Sequence, residues 1–355
     1  MVSNVLVGVL VAVLAFFYHM SVKLDFHKVV YNHKPGVCRQ DIELIRSEGI
    51  AFVTSGVIWL KPSPVQGKMF LYDFNQKSSR GKLVAKELKI TGSHFDRTNF
   101  HPHGLTHWVV DGIIRLYVVS HTAKIEHSIE VFEFDPKETS LVHKKTIRHE
   151  ALIRPNDIVA VGPDQFIFTN DGVTQSYHMN ELEVVSGYRG GTVYYYDGQE
   201  FHQLLEGKAS PNGITYDATT HKLFVSMISD ETIDVYDLSN DYLTASLVSR
   251  INVYTGCDNL FLDSDGSLYS GCHPITYMAA EFLKNCTNFD VKAPSQVLHL
   301  RFDKDYKNAA ITEVYSDDGR EITGSSIATL YTNQILIGSV CRNLIHCEVA
   351  DASVL

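Results

Sequence analysis

The sequence predicts an all-β fold of repeated short strands, because of its strand pattern, its turn residues and a loose repeat. Short runs rich in β-branched and aromatic residues follow one another along the chain, and clusters such as YDG, DSDG and SDDG separate them. The runs are KMFLYDF, IIRLYVVS, SIEVFEFD, DQFIFTND, GTVYYYDG, KLFVSMIS, TIDVYDLS, GSLYSGC, QVLHLRFD, AAITEVYS and NQILIGSV. Weak helical periodicity is confined to SYHMNELEVVSGY and ITYMAAEFLKN.

The repeat consists of polar pairs that precede an apolar strand. They are Gln40-Asp41, His103-Gly104, Asn156-Asp157, Asn212-Gly213, Asp258-Asn259 and Ser325-Ser326. Successive pairs are 46 to 67 residues apart, with room for three or four strands in each interval. Four-stranded units of this length, arranged radially, are propeller blades. The sequence therefore predicts a six-bladed β-propeller, although the pattern alone leaves a large β-sandwich open.

Composition is typical of one globular domain with a sizeable core. The chain has 355 residues, of which 45% are hydrophobic and 20% charged, and no linker divides it. We expect residues 23–355 to form the propeller, behind a leader over residues 1–22. The net charge of −10 and the lack of a basic run argue against nucleic acid as a partner.

The leader contains an uninterrupted apolar run, VLVGVLVAVLAFFY, without a small-residue cleavage site. We interpret it as an uncleaved signal-anchor that places the propeller on the luminal or extracellular side of a secretory-pathway membrane; a buried N-terminal strand is the alternative. Lys23 and Lys28 follow the run and no basic residue precedes it, which by the positive-inside rule favours the opposite orientation. Six cysteines without a CxxC spacing, and a glycosylation sequon at Asn285, favour the lumen.

The strand openings carry many carboxylate and carboxamide oxygens. In a propeller the innermost strands meet at a central channel, so these side chains would converge there. Calcium takes about 6 to 8 oxygen ligands, and an Asn oxygen contributes no charge, so several can surround one ion. The alternative is that Asn and Asp residues at strand starts hold turns. For a set that recurs in successive repeats, we favour a calcium site.

Several longer segments resemble the paraoxonase/arylesterase family of calcium-dependent lactonases and esterases. They are GIAFVTSG, LKITGSHFDRTNFHPHG, KKTIRHEALIRPNDIVAVGPDQFIFTND, PNGITYD, DNLFLDSDGSLYSGCHP and LIHCEV. The resemblance runs from about Cys38 to Val349. It implies a six-bladed propeller with two calcium ions in its channel, and a substrate that is a small lactone or ester.

The resemblance also implies roles for individual residues. The ligands of a catalytic calcium would be Gln40, Asn156, Asn212, Asp258 and Asn259. A structural calcium would be held by Asp41, Asp157 and the backbone carbonyl of Leu105. A bound calcium would polarise the ester carbonyl. His103 would take a proton from water, and His121 would orient His103 or relay the proton. A disulfide would join Cys38 to Cys347, and Cys272 would be free. The lid over the channel would be built by the leader and GVTQSYHMNELEVVSGY.

One position departs from the family pattern, because Gln40 stands where members of the family have Glu. The formal charge of the predicted catalytic ligand set falls from −2 to −1, with Asp258 as its remaining anion. This suggests an alternative function. Some family members resemble membrane-anchored endoplasmic-reticulum chaperones that assist ion-channel assembly, with weak or no hydrolase activity and a membrane-protein client.

Gln40→Glu is expected to raise the calcium affinity of the catalytic site by about tenfold or more, because affinity follows the number of charged ligands. Calorimetric titration of the wild type should show one tightly bound calcium ion and one weaker ion. Two tightly bound ions in the wild type would contradict the weakening.

Overall fold

The computed structural model describes residues 2–26, 28, 43–57, 66–76, 84–122, 124–342 and 344–349. Three α-helices occur there: α1 (Val2–Lys23), α2 (Tyr177–Ser186) and α3 (Thr276–Lys284). The strands, β1 to β24 in order, are Glu43–Ile45, Ile50–Ser55, Lys68–Asp73, Lys86–Glu87, Lys89–Thr91, His101–Val110, Ile113–His121, His127–Asp135, Ser140–Ile147, Pro155–Gly162, Gln165–Asn170, Gly191–Tyr196, Phe201–Lys208, Pro211–Asp217, Lys222–Met227, Thr232–Leu238, Ala245–Asn252, Gly256–Leu262, Leu268–His273, Ser295–Phe302, Ala309–Asp317, Ser325–Tyr331, Gln334–Ser339 and Leu344–Glu348.

The strands form six antiparallel sheets, each made of strands that follow one another in sequence. The sheets are β1–β4, β6–β9, β10–β13, β14–β17, β18–β21 and β22–β24. The second sheet gains β5 as a parallel fifth strand beside β9, and within the described residues the sixth sheet has three strands. The predicted six-bladed β-propeller is confirmed. All eleven strands predicted from the sequence are present, and so are both helices with weak periodicity.

Six hydrophobic clusters lie between neighbouring blades and close the ring. Alternation along β15 shows how they form, since Leu223 and Val225 pack against the third blade whereas Phe224 packs against the fifth. The last interface joins the first and sixth blades, where Tyr72 and Leu336 share one cluster. Each blade is thus buried on both faces, and this burial is what holds the blades together.

A β-bulge interrupts the first strand of five blades at the same place. The register shifts against the second strand fall at Pro102/Leu105, Pro155/Ile158, Pro211/Ile214, Cys257/Leu260 and Ser325/Ile327. These shifts contain the polar pairs that the sequence predicts as strand openings. A bulge leaves residues outside the ladder and redirects their side chains, so the polar groups turn away from the inter-blade cores.

Two glycines allow the first strands to approach one another closely. A Cβ on Gly104 would lie 2.6 Å from the carbonyl oxygen of Asn156. A Cβ on Gly213 would lie 2.4 Å from the carbonyl oxygen of Asp258. Both obstacles are backbone atoms, which cannot move aside as a side chain can, so these positions require glycine.

The C-terminal end of α1 contacts the fifth blade. The buried Asp25 carboxylate accepts a hydrogen bond from the Thr276 backbone N–H at 2.9 Å, and the Phe26 ring stacks on Tyr277 with centroids 4.4 Å apart. The signal-anchor remains a prediction: in the described part of the chain, no helix is found that is long and apolar enough to cross a membrane.

Two disulfides lie within the described residues, Cys257–Cys272 and Cys286–Cys341. The expectation that Cys272 is free was wrong, because Cys257 and Cys272 are direct neighbours in the β18–β19 ladder. Cys347 is also disulfide-bonded. Cys38 lies outside the described residues, so the Cys38–Cys347 pairing stays a prediction.

The predicted glycosylation residue, Asn285, ends helix α3 beside one of these disulfides. Its side-chain amide donates to the carboxylate of Glu281 at 2.8 Å. Glycosylation there remains a prediction, and it requires the amide to leave this hydrogen bond.

Gly213→Ala is expected to lower the free energy of unfolding by about 1–3 kcal/mol, because the new methyl group overlaps backbone of the next blade. Gly112→Asn is the matched control: Gly112 has φ +79°, which Asn tolerates, and a Cβ at this position would have no atom of the described residues within 4 Å. Urea unfolding of both variants measures the difference. Equal stability of the two variants would show that the close approach is unimportant.

Candidate functional site

A cavity of about 90 Å³ lies where the bulged strands meet. A cavity needs about 10–15 Å³ by this measure to hold one water molecule, so this one has room for an ion with several waters. Polar side chains from several blades line it, among them His103, Asp157, Asp258, Asn259 and Ser326. The propeller therefore brings together residues that are far apart in sequence.

Three of the predicted catalytic calcium ligands present an unsatisfied oxygen. The Oδ1 atoms of Asn156, Asn212 and Asn259 are buried and accept no hydrogen bond from any residue that the structure describes. A buried acceptor without a partner costs about 1–3 kcal/mol. Asn259 and the buried Asp258 line the cavity, whereas Asn156 and Asn212 are not among the described residues that line it. Carboxamide and carboxylate oxygens of this kind suit a hard cation. These residues fit a calcium ion.

A buried ion pair orients Asn156. Its Nδ2 donates to Oδ2 of Asp171 at 3.1 Å, which leaves Oδ1 as the oxygen available to a cation. Asp171 is paired with Arg154, whose guanidinium also contacts Glu183 of α2 at 2.9 Å. Burial lowers the pKa of Arg154, but these two carboxylates outweigh it and the net pKa is raised. The guanidinium therefore stays charged and links helix α2 through Asp171 to Asn156.

The carboxylate of Asp258 is held by a histidine from the neighbouring strand. His273 Nε2 lies 3.0 Å from Asp258 Oδ2, and both side chains are buried. This contact restricts the carboxylate to one orientation, in the same way that Asp171 restricts Asn156.

The predicted structural calcium ligands are partly in view. Asp157 and Leu105 line the same cavity. The Asp157 carboxylate accepts hydrogen bonds from the backbone N–H groups of Ile158 at 2.8 Å and Ile214 at 2.9 Å, so it also ties the third blade to the fourth. Gln40 and Asp41 lie outside the described residues.

Within the described ranges no group of three or more His, Cys, Asp and Glu side chains could hold a metal ion. This agrees with the donor set above, in which carboxamides outnumber carboxylates.

The predicted histidine pair is in contact. His103 Nδ1 and His121 Nε2 are 3.1 Å apart. Burial lowers the pKa of His103 to about 4, an effect that the nearby Asp258 carboxylate partly opposes. Burial, followed by the neighbouring imidazoles of His103, His127 and His101, lowers the pKa of His121 well below 6.5. Both rings are therefore neutral at pH 7 and able to accept a proton.

Comparison with known proteins agrees with this geometry. The family model described as Arylesterase matches residues 20–349. The chain belongs to the arylesterase family. Its relatives include serum paraoxonase/arylesterase 2 of Gallus gallus, 33% identical over 87% of this chain and 85% of the relative. Serum paraoxonase/arylesterase 1 and serum paraoxonase/lactonase 3, both of Homo sapiens, are 32% and 31% identical over the same shares.

Solved structures share the fold of this arylesterase-family chain at low sequence identity. A periplasmic gluconolactonase of Pseudomonas aeruginosa has a TM-score of 0.50 and 12% identity, over 91% of this chain and 87% of that one. A chain from a nidogen/laminin complex also reaches 0.50, with 12% identity over 85% and 90%. Because these proteins are of such different kinds, the similarity to them shows only that this chain has the propeller fold.

Sequence reasoning missed the residues that support the site of this arylesterase. Arg154 stands two positions before Asn156 in RPND, and His273 follows Cys272 in GCHP, whereas Asp171 lies in TND, at the end of a segment that carries the family resemblance. Their position in these motifs was the available signal. Glu183 and His127 had no such signal, because they belong to other strands or helices.

His121→Asn is expected to make the pH dependence of unfolding shallower. In the unfolded chain histidine titrates near 6.5, whereas the folded protein keeps His121 neutral below that pH. As the pH falls below 6.5 the unfolded chain binds a proton that the folded chain does not, so stability is lost. The loss approaches about 1.4 kcal/mol per pH unit for each such histidine.

Urea unfolding at pH 7.5, 6.5 and 5.5 measures this slope in the wild type and in His121→Asn. Exposed His221 supplies the control His221→Asn. An unchanged slope in His121→Asn would show that His121 takes up its proton over the same pH range in the folded and the unfolded chain.

Proposed function

We propose that the chain is a calcium-dependent hydrolase of lactones and aryl esters, acting in the central channel. The observation that carries this is the set of unsatisfied oxygens of Asn156, Asn212 and Asn259, with Asn259 and Asp258 lining the cavity. Membership of the arylesterase family and a neutral histidine pair at the same cavity support it. The relatives reported above are named as arylesterases, paraoxonases and a lactonase, which favours the hydrolase over the chaperone-like alternative.

Two ligand sets are proposed. Gln40, Asn156, Asn212, Asp258 and Asn259 would hold the calcium ion that takes part in hydrolysis. Asp41, Asp157 and the carbonyl of Leu105 would hold a structural ion. When bound, the first ion supplies a Lewis acid that polarises the substrate carbonyl and offsets negative charge on its oxygen.

The histidines move the proton of the attacking water. His103 is a neutral imidazole that lines the cavity, and we assign it as the general base. His121, at 3.1 Å, orients that ring through its Nε2. His103 lies in the bulge of β6, two residues after His101, and His101 is the residue paired with His121 of β7. The adjacent strands therefore set the separation of the two rings.

The disulfides favour an oxidising compartment. Cys257–Cys272, Cys286–Cys341 and the bonded Cys347 are typical of proteins in the secretory pathway. We propose that the protein resides there with its propeller on the luminal or extracellular side, attached through residues 1–22.

The direct test is hydrolysis of a γ-lactone and of phenyl acetate by the purified protein, with calcium and with a chelator. We expect calcium-dependent activity in the wild type, and more activity in Gln40→Glu at low calcium. Activity only in Gln40→Glu would favour the chaperone-like alternative, and chelator-resistant activity would contradict the proposed role of calcium.

Asn212→Leu is expected to have opposite effects on stability with and without calcium. Without calcium the change removes a buried, unsatisfied oxygen, so stability should rise by up to about 1 kcal/mol. With saturating calcium the variant should be less stable than the wild type, because a ligand is lost, and hydrolysis should fall.

Thermal unfolding in chelator and in 1–10 mM calcium, roughly the range that fills weak sites, measures both effects. Exposed Asn252 at the end of β17 supplies the control Asn252→Leu. Its difference in stability from the wild type should have the same sign with and without calcium. A variant that is equally stabilised in both conditions would exclude Asn212 as a ligand.

A further inference from the structure

A third histidine and a glutamine extend the histidine pair. His121 Nδ1 lies 2.8 Å from His127 Nδ1, and His127 Nε2 lies 3.3 Å from Gln175 Oε1. The Gln175 amide in turn donates through Nε2 to the backbone carbonyl of Ile153. The continuous chain of contacts thus runs from the cavity to Gln175, an exposed residue shortly before helix α2.

The contacts of Gln175 determine which group donates and which accepts in each hydrogen bond of this series. A carbonyl oxygen only accepts, so the Ile153 carbonyl requires the NH₂ group of Gln175 on its side and the amide oxygen toward His127. That oxygen also only accepts, so His127 carries its proton on Nε2. In neutral imidazole the other nitrogen is then an acceptor, and His127 Nδ1 accepts from His121.

The same rule applies to the two inner rings. His121 carries its proton on Nδ1 to donate to His127, so its Nε2 is the acceptor. His103 then donates from Nδ1 to His121 Nε2 at 3.1 Å. A neutral His103 consequently has no proton on Nε2, and this is the nitrogen that can take one from water.

We propose that His127 and Gln175 are positioning residues that set the tautomers of His121 and His103, so that the unprotonated nitrogen of His103 is Nε2. This rests on the proposed function only in naming His103 as the base. The tautomers themselves follow from hydrogen-bond geometry.

The surroundings of His127 favour the required neutral form. Burial lowers the pKa of His127, and the Arg154 guanidinium lowers it further, whereas hydrogen bonds to Gln175 and to the Ile153 backbone oppose this. The contact with Gln175 is made by Nε2, in agreement with a proton on that nitrogen.

Histidine ¹⁵N NMR tests the tautomers without reference to catalysis. The two ring nitrogens of a neutral imidazole have distinct shifts and coupling patterns, and the 17 histidines can be assigned from single variants. We expect His103 and His121 with the proton on Nδ1 and His127 with it on Nε2. A wild-type His103 protonated on Nε2 would overturn the proposal.

Two substitutions at the same position provide the matched comparison. His127→Asn keeps an acceptor at the δ1 position for His121, whereas His127→Phe keeps a ring of similar size without any acceptor. In His127→Phe we expect the Nε2-protonated form of His103 to become populated, whereas His127→Asn keeps the wild-type pattern. An unchanged pattern in His127→Phe would contradict the role of His127.

Kinetics separates this proposal from the proposed function. We expect kcat to fall by about tenfold or more in His127→Phe, with KM little changed, and to be near wild type in His127→Asn, since general bases contribute about 10²–10⁴. Equal activity of both variants, despite a changed tautomer, would overturn the positioning role. No hydrolysis by any variant, with the expected tautomers present, would contradict the hydrolase alone. If His127→Phe does not fold, the wild-type tautomers still decide the proposal.

Discussion

The channel depends on the close backbone approach between the first strands of neighbouring blades. Gly104 lies against Asn156 and Asp157, and Gly213 lies against Asp258 and Asn259. At these points there is no space for a side chain, so the bulged strands can meet, and polar side chains from several of them line the cavity. The six inter-blade clusters hold the strands at this separation. The site is therefore a product of the ring as a whole.

The chemistry of the cavity follows from the choice of carboxamides over carboxylates. Several carboxylates this close would repel one another and raise one another's pKa values, whereas Asn oxygens can gather without charge. Their cost is desolvation, because each buried Oδ1 lacks a donor within the described residues. Ligand binding and folding stability are linked through this cost: an ion that satisfies the oxygens stabilises the folded chain by mass action.

The fold could be predicted because the repeat and the strand pattern agreed. Inner strands such as β11 and β15 are buried on both faces and rich in apolar residues, which makes them easy to identify. Outer strands such as β17, with mostly exposed or half-buried residues, lack that signal. The parallel strand β5 could not be found at all, since its partner β9 is about 50 residues away.

The candidate site was predictable to a smaller extent. Asn156, Asn212, Asp258 and Asn259 could be singled out because they recur at strand openings, and the role of His103 came from the family resemblance. The supporting contacts could not, because Arg154–Glu183 and His127–Gln175 join residues 29 and 48 positions apart. Such pairs have no period in the sequence. Cys272 shows the converse: a family habit suggested a free thiol, and the ladder placed Cys257 opposite it.

The glutamine at the outer end of the histidine chain also determines where charge can go. A proton taken up at His103 Nε2 can be passed outward in two transfers: His103 gives its Nδ1 proton to Nε2 of His121, and His121 gives its Nδ1 proton to Nδ1 of His127. The movement stops at His127, since the amide oxygen of Gln175 is too weak a base to take the proton further. Positive charge would then rest near the Arg154 guanidinium, which disfavours it and drives the proton back toward the cavity. The three rings therefore form a path that is closed at Gln175, so a proton taken up at His103 can leave only through His103 again.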